Sequence, residues 1–514
     1  MSNYVQGLKP LIFKSRSKFD LSHKHITSIN VGKLVPLYVQ EVLPGDTFKV
    51  QSHSVFRSTT PFIKPVMDNL FFDMYYFFVP TRLIWEKSKV FFGENQNGYW
   101  TNNEIVEHPT ITGTVDAGDI ADYLGIPPFQ YSSGNSRAFN ELPFRAYALI
   151  YNEWFRDENS QQPVYISKAS GPSSSSLNQQ PWSTNNIYGK CANINKIHDY
   201  FTSCLPAPQK GDAISLRFSQ GTKVNSLVNP AGQSDGIMTT GGLSSTLTTD
   251  NGEDIFLDLS GLNIANVNDL RMAFALQRML EKDARGGTRY IEYIQEHFGV
   301  TNPDYRLQRP EYLGGKRMPL NIQQVTNTAK TDSSPLAEVG AFSLSNGVCG
   351  FNKGFTEHGF IIGVGAIRYK HTYQQGIERF WTYQKRTDYY DPVFANIGEQ
   401  PVYKYELDIQ HSPAGNIVFG YNEAWAHLRY KPNRVSGLMR TASGSGLDTW
   451  HFADNYATIP YLNSDFIKET ELFVERCLSA DSTIIDNFIC DFYHDVKAIR
   501  CLPTYSIPGL IDHK

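Results

Sequence analysis

Two stretches of strict alternation, one near each end of the chain, constrain the fold more than any other feature. Phe48, Val50, Ser52, Ser54 and Phe56 alternate with Lys49, Gln51, His53, Val55 and Arg57. Close to the other end, Phe488, Cys490, Phe492, His494, Val496 and Ala498 alternate with Asn487, Ile489, Asp491, Tyr493, Asp495 and Lys497. A period of two marks a half-buried strand. Each stretch therefore predicts a long strand with one face in a core, and the turn residues Pro44-Gly45-Asp46 precede the first. Strands close to both termini let the ends of the chain meet in one sheet, as sandwiches and jelly rolls require. Between them, Leu70–Val79 is a near-continuous aromatic run stopped by Pro80, which predicts a strand covered on both faces.

Helices are fewer and fall in the middle. Pro143 suits a first turn and is followed by Tyr147, Ile150, Tyr151 and Trp154 at helical spacing. From about Asn266 to Ala284, Val267, Leu270 and Phe274 lie beside Met272, Leu276 and Met279 as two apolar stripes, opposite Arg271, Arg278, Lys282 and Arg285. Gly286-Gly287 ends that helix, and a shorter one through Tyr290, Ile291, Ile294 and Phe298 stops at Gly299. Two stretches read as surface insertions. Ser167–Asn185 is turn-rich, and Gly211–Gly261 is rich in Gly, Ser, Thr and Asn with short strand-like pieces at Ala213–Phe218 and Ile255–Leu259. A structureless loop of that length is unusual in a compact domain, so a small β-rich excursion is expected there. No fixed-period repeat occurs, which disfavours solenoids and propellers.

Composition narrows the function. Over 514 residues the chain has 47 Lys+Arg against 51 Asp+Glu, for a formal charge of -4. That balance argues against a dedicated nucleic-acid binder, though not against a local basic surface. Charged residues make up 19% and aromatics 13%. Few charges and many rings suit a chain buried once in folding and again against partners. The Leu70–Val79 run is broken by Asp73 and is too short to span a membrane. The first ten residues lack a signal-peptide layout, so a cytoplasmic protein is expected. Six cysteines without a CxxC pair read as reduced, mostly buried thiols.

The search for catalytic motifs is negative. There is no HExxH and no GxSxG. Gly314-Gly-Lys-Arg317 misses the first glycine and the magnesium-binding hydroxyl of a phosphate loop, and Gly363-Val-Gly365 reads as a close-packed strand. Three basic clusters remain. Lys14, Arg16, Lys18, His23, Lys24 and His25 stand in an N-terminal arm without core pattern. Such an arm suits a phosphate backbone, a neighbouring subunit, or simple solvation. Arg379-Phe-Trp-Thr-Tyr-Gln-Lys-Arg386, with Tyr389 and Tyr390, interleaves cations and rings as single-stranded nucleic acid requires; it equally suits an interface packed on protein. The third, Arg306, Arg309, Lys316 and Arg317, reads as a solvated or ion-paired loop.

Phe19-Asp-Leu-Ser-His-Lys-His25, Leu43-Pro-Gly-Asp-Thr-Phe48 and Pro65-Val-Met-Asp-Asn69 running into Tyr75-Tyr-Phe-Phe-Val-Pro80 form a distinctive series. It continues through Asp199-Tyr-Phe-Thr-Ser-Cys-Leu205, Glu281-Lys-Asp-Ala-Arg-Gly-Gly-Thr-Arg-Tyr290 and Arg309-Pro-Glu-Tyr-Leu-Gly-Gly315. Phe355-Thr-Glu-His-Gly-Phe360, Thr372-Tyr-Gln-Gln-Gly376 and Ile507-Pro-Gly-Leu-Ile-Asp-His513 complete it. In this order the strings resemble the major capsid proteins of gokushoviruses, single-stranded-DNA bacteriophages of the microvirus family. No such string occurs in Gly211–Gly261.

The resemblance implies a mainly β subunit: an antiparallel jelly roll of about eight strands, of the viral capsid type, with long insertions holding a few helices and a β-rich protrusion. Residues 1–514 would form one subunit from discontinuous segments. Within it, 211–261 would be the three-fold protrusion (with Ser167–Asn185 as runner-up), 262–300 a helical insertion, and 470–514 the strand and tail returning to the core. Such subunits assemble through pentamers in the host cytoplasm into a simple icosahedral shell (T=1) around circular single-stranded DNA. The implied partners are further copies of the chain, that genome, a small basic DNA-packaging protein, an internal scaffolding protein, a pilot protein and a receptor on the bacterial surface. No cofactor, metal or catalytic residue is implied. Residues expected to touch DNA are Lys14, Arg16, Lys18, Lys24, Arg379, Lys385 and Arg386. Those expected to face the receptor are Val224, Asn225, Asn229, Gln233, Asp235 and Asp250. The competing class is a β-sandwich carbohydrate-binding protein or glycosidase, in which Asp454, Asp465 and Trp450 would line a cleft.

Overall fold

The two alternating stretches pair with each other. In a computed structural model, residues 16–94, 105–129, 137–212, 267–321, 324–326, 339–342, 345–413, 415–479 and 485–505 are described. The chain divides into two compact units, 1–206 with 300–514, and 207–299. In the first unit the main strands are β1 (Ser17–Asp20), β2 (His23–Ile29), β3 (Val35–Val42), β4 (Thr47–Ser58), β5 (Leu70–Pro80) and β6 (Glu311–Leu320). They continue as β7 (Ser345–Gly354), β8 (Gly359–Tyr369), β9 (Glu399–Tyr403), β10 (Val418–Glu423) and β11 (Phe488–Arg500). β4 and β11 run antiparallel from Phe488 opposite Ser58 to Ile499 opposite Thr47.

Around that pair the first sheet is ordered β7–β4–β11, with β1 and β2 both lying along the outer edge of β11. The second sheet is ordered β3–β8–β5–β6, and its pairings are likewise antiparallel. The chain changes sheet at every step from β2 through β3 and β4 to β5, then again from β6 through β7 and β8 to β11. That wrapping is a jelly roll. β9 and β10 form a separate antiparallel pair in the excursion between β8 and β11.

The core lies between the sheets and is rich in rings. Phe56 of β4 sits 4.4 Å from Phe72 of β5 and 5.7 Å from Phe492 of β11, centroid to centroid. Backbone glycine is required where the packing is tightest. A Cβ on Gly365 of β8 would lie 2.6 Å from both Leu37 and Phe72, which accounts for the glycines of the Gly363-Val-Gly365 run. A polar cluster crosses the core: the Ser52 hydroxyl bonds the Tyr76 hydroxyl and, at 2.5 Å, His494 Nδ1. Burial, with His23 and His25 nearby, lowers the His494 pKa to about 3, so its imidazole is neutral.

Sheet two is covered on its outer face as well, as the aromatic run predicts. Helix α1 (Leu142–Ile150), with Pro143 in its first turn, continues into the turn Tyr151–Phe155. Trp154 and Phe155 reach Phe77 and Tyr75 of β5 at 5.3 and 5.5 Å. Beside them, Asp73 is fully buried beneath Arg317 and Arg368.

Two local expectations need correction and a third is refined. The N-terminal arm is not patternless from Ser17 onward: β1 and β2 are edge strands of sheet one. The alternation of β2 was hidden because the positions beside His494 and Phe492 hold the exposed His23 and the half-buried His25, at 5.1 and 6.4 Å from those rings. Ser167–Asn185 is mostly exposed, as a surface insertion should be, but it is anchored to the rest of the unit. Its Pro172–Leu177 strand pairs in parallel with Thr110–Gly113, and Trp182 packs edge-on to Tyr147 at 5.3 Å. In the second unit, α2 (Val267–Gly286) and α3 (Tyr290–Phe298) form as the spacing predicts, and Gly287 and Gly299 take φ of 95° and 66°. Among the described residues nothing covers their apolar stripes, however: Met272, Phe274, Leu276 and Met279 are exposed. The described contact between the two helices includes His297 against Asp283 at 2.9 Å. The strand-like pieces at Ala213–Phe218 and Ile255–Leu259 lie outside the described residues.

Candidate nucleic-acid interface

The residues expected to meet DNA fall in two parts of the first unit. Lys18 stands on β1 opposite Ile499, and Lys24 on β2 opposite Tyr493. Both point away from the core and are exposed, as is Arg16 just before β1. Lys24 Nζ is 2.9 Å from Asp491. An exposed pair of that kind contributes little and exchanges readily for another anion. Lys14 lies outside the described residues.

Arg379 and its neighbours divide differently. Arg379 turns inward: its guanidinium bonds Glu406 at 2.9 Å and the Pro401 carbonyl, and lies 5.0 Å from the Tyr403 ring centre. Burial alone would lower its pKa, but Glu406 outweighs burial and raises it. The charge is therefore fixed and already neutralised, which takes Arg379 out of a free phosphate-binding surface. Lys385 and Arg386 stay exposed on a short 3-10 turn, which Asp388 closes by accepting the Lys385 backbone N–H at 2.8 Å. The rings of this segment, Phe380, Trp381, Tyr389 and Tyr390, are exposed beside them. In the third cluster Arg317 is paired with Asp73 at 2.7 Å and Arg309 with Asp304 at 3.5 Å, as the ion-paired reading expects, but Lys316 and Arg317 stand on strand β6 and not in a loop. The receptor-facing residues Val224, Asn225, Asn229, Gln233, Asp235 and Asp250 lie outside the described residues.

Sequence reasoning passed over two groups. Lys49, His53 and Arg57 are exposed on β4, across the same sheet from Lys18 and Lys24. The alternation had already put them on the solvent side, and the missing step was the register that aligns them with the N-terminal edge. The second group is a buried ion quartet. His371 Nδ1 meets Asp454 at 2.8 Å and Nε2 meets Glu469 at 3.1 Å, while Lys196 Nζ lies 3.6 Å from Asp454. The Tyr456 hydroxyl donates to Asp454 at 2.6 Å. Burial would lower the His371 pKa, but Asp454 and Glu469 overcome it and raise it to about 9. No local signal joins residues so far apart in sequence.

The glycosidase alternative fails on geometry. Asp454 is fully buried in that quartet, and the Asp465 side chain is 87% exposed, so they do not serve one cleft. A cleft of about 540 Å³ does lie beside Tyr200, Trp381 and Tyr430, with Glu378 and Glu406 in its wall. Glu406 is held by Arg379, and Glu378 by Lys431 at 2.6 Å and by Arg434, so neither is a free acid or base.

Residues 12–510 match the family described as capsid protein (F protein). The capsid protein VP1 of Spiroplasma virus 4 is 39% identical over 534 residues, covering 96% of this chain and 95% of the relative. The capsid protein VP1 of Chlamydia phage 1 is 36% identical, with 96% of each chain covered. That of Bdellovibrio phage phiMH2K is 34% identical, covering 97% of this chain and 96% of the relative. A jelly roll matched end to end by capsid proteins leaves one assignment: this chain belongs to the phage capsid protein (F protein) family and is a structural, non-enzymatic component of a virion shell.

Proposed function

We propose that the chain builds a T=1 icosahedral shell through pentamers, around circular single-stranded DNA, with Lys14, Arg16, Lys18, Lys24, Lys385 and Arg386 toward the genome. The near full-length match to capsid proteins of bacteriophages carries this reading. Low charge and many rings support it, because each subunit of a closed shell is walled by neighbours. Closed symmetry lets many moderate contacts hold a shell that no single contact would. The near-neutral charge of -4 supports a division of labour in which a small basic protein neutralises most of the genome. Insertion 211–261, rich in Gly, Ser, Thr and Asn, is assigned to the host surface. The scaffolding and pilot proteins remain the further partners of this reading, with assembly in the bacterial cytoplasm.

Sedimentation velocity with negative-stain imaging, on the chain alone and coexpressed with its neighbouring small genes, should show pentamers or closed particles. A strict monomer or dimer in both preparations would overturn the reading. Replacing Arg16, Lys18, Lys24, Lys385 and Arg386 together by glutamine should lower the DNA retained per particle while empty shells still form. Unchanged packaging would retire those residues. Deleting 224–250 should leave particles intact and reduce adsorption to host cells several-fold; loss of particles instead would assign that segment to contacts between subunits.

A further inference from the structure

The geometry points to the outer face of sheet one as a platform for single-stranded nucleic acid, centred on Tyr493 and flanked by the cations of β1, β2 and β4. The inference deepens the genome-enclosing reading and rests on it. It extends the contact from Lys18 and Lys24 at the edge of that sheet across β11 to Lys49 and Arg57 on β4, away from the Lys385–Arg386 turn.

The two sheets of the jelly roll are treated differently by the rest of the chain. Sheet two is covered on its outer face by α1 and the Tyr151–Phe155 turn, and the Phe77 it buries there is 1% exposed. Sheet one has no such cover among the described residues: Ile26 is 64%, Tyr493 50% and Ile489 45% exposed. The register lines these side chains up in rows across the strands. Lys24, Tyr493 and His53 form one row, on β2, β11 and β4. Below it Asp20, Lys497 and Lys49 form another, and above it Arg57 stands beside Ile489. Neighbouring strands lie about 4.8 Å apart, so members of a row are in reach of one ligand. Lys49 and Arg57 are eight residues apart on one strand and bracket a length of about 27 Å, room for several nucleotides.

Charge decides the occupant. The chain as a whole is acidic, yet this face carries Lys18, Lys24, Lys49, Lys497 and Arg57 against Asp20, Asp491 and Asp495. The three aspartates are bound up with Lys24 and Lys497. Lys18, Lys49 and Arg57 have no ion-pair partner among the described residues. Covering them with apolar protein surface would strip their water without supplying anions. A polyanion supplies one phosphate per cation and releases its counterions on contact. The exposed Tyr493 ring between Lys24 and His53 adds a stacking surface that an unpaired base satisfies and a duplex, with its base faces hidden, does not. Cations around a ring on an open sheet are a general solution for binding single strands.

The test uses the full-length chain and a labelled oligo-dT as probe, titrated across salt concentrations, with particle formation followed in parallel. For single strands each phosphate contact contributes about 0.7 to the slope of log affinity against log salt. K49Q/R57Q should therefore flatten that slope by about 1.4 and weaken binding at least tenfold at moderate salt. Tyr493→Ala should weaken binding several-fold with the slope unchanged, and Tyr493→Phe should restore it, because the ring acts and not the hydroxyl. All three side chains are exposed, and a wild-type melting temperature for each variant verifies folding. If K385Q/R386Q loses binding and K49Q/R57Q does not, the sheet-face site is overturned while the genome-enclosing reading stands. If the wild-type chain fails to bind the oligonucleotide, and particles made with the full set of partners hold no DNA, the reading beneath it falls as well. K49Q/R57Q that binds normally but no longer forms particles would overturn the proposal by making this face a contact between copies.

Discussion

Asp454→Ala is expected to destabilise the chain by about 3–5 kcal/mol, because it breaks a fully buried charge network on one side only. In the intact protein the quartet is balanced, with His371 and Lys196 against Asp454 and Glu469, and each side chain is at most 5% exposed. Removing Asp454 leaves two buried cations sharing one carboxylate and leaves the Tyr456 hydroxyl without its acceptor. The network also ties distant segments together. His371 follows β8, Lys196 precedes the second unit, and Asp454 and Glu469 belong to the long excursion before β11. Asp454→Asn, which keeps the shape and one acceptor oxygen, should cost less.

The same network sets an alkaline limit. His371 has a folded pKa of about 9 against an ordinary 6.5, so its contribution is full below pH 6.5 and is lost as pH rises through about 9. Urea midpoints of the wild type should therefore fall between pH 7 and pH 9.5. They should fall less in Asp454→Ala, where part of the cause of the raised pKa is gone. A midpoint at pH 7 within error of wild type would show that the quartet does not hold the excursion in place.

Phe72→Ala should cost a comparable amount, about 3–5 kcal/mol, by a different route. The ring is fully buried between the sheets, against Phe56 at 4.4 Å and Phe492 at 5.9 Å. Its neighbours are held by the strand pairings of both sheets, so the cavity cannot close by a small shift. Gly365 on the neighbouring strand β8 leaves further empty space, since its missing Cβ is where the Phe72 ring now fits. Phe72→Leu should recover more than half of the loss. The measurement is the denaturation midpoint of the soluble chain together with the yield of particles. A loss below about 1 kcal/mol would mean that the core repacks, contrary to the rigidity inferred here.

The strands were legible wherever one face is apolar and the other polar. β4 and β11 announced themselves because their inward residues are mostly hydrophobic, and β5 because both of its faces are covered. β2 was not, since His23 and His25 are polar and not fully buried yet sit against rings of the core. The Trp182 anchor was hidden for a related reason: one ring among turn residues carries no period. The helices of the second unit were correctly located, but their stripes predicted a covered face where the structure has an exposed one. Periodicity reports which residues share a side, not whether another element arrives to cover it.

For the candidate interface the division is sharper. Composition and motif search alone indicated a protein of contacts and not of catalysis, and the ordered family strings identified the capsid family. Sequence also named part of the cation set, Lys18 and Lys24 among them, because charge is a local property, but it passed over Lys49 and Arg57. Which cations are available was decided by tertiary structure. Arg379 lost its place when Glu406, twenty-seven residues away in sequence, folded under it, while Lys49 and Arg57 gained theirs when β11 brought the N-terminal edge alongside β4. An ion pair or a cross-strand row depends on residues that meet only after the chain has closed, and neither leaves a pattern within either partner's own stretch of sequence.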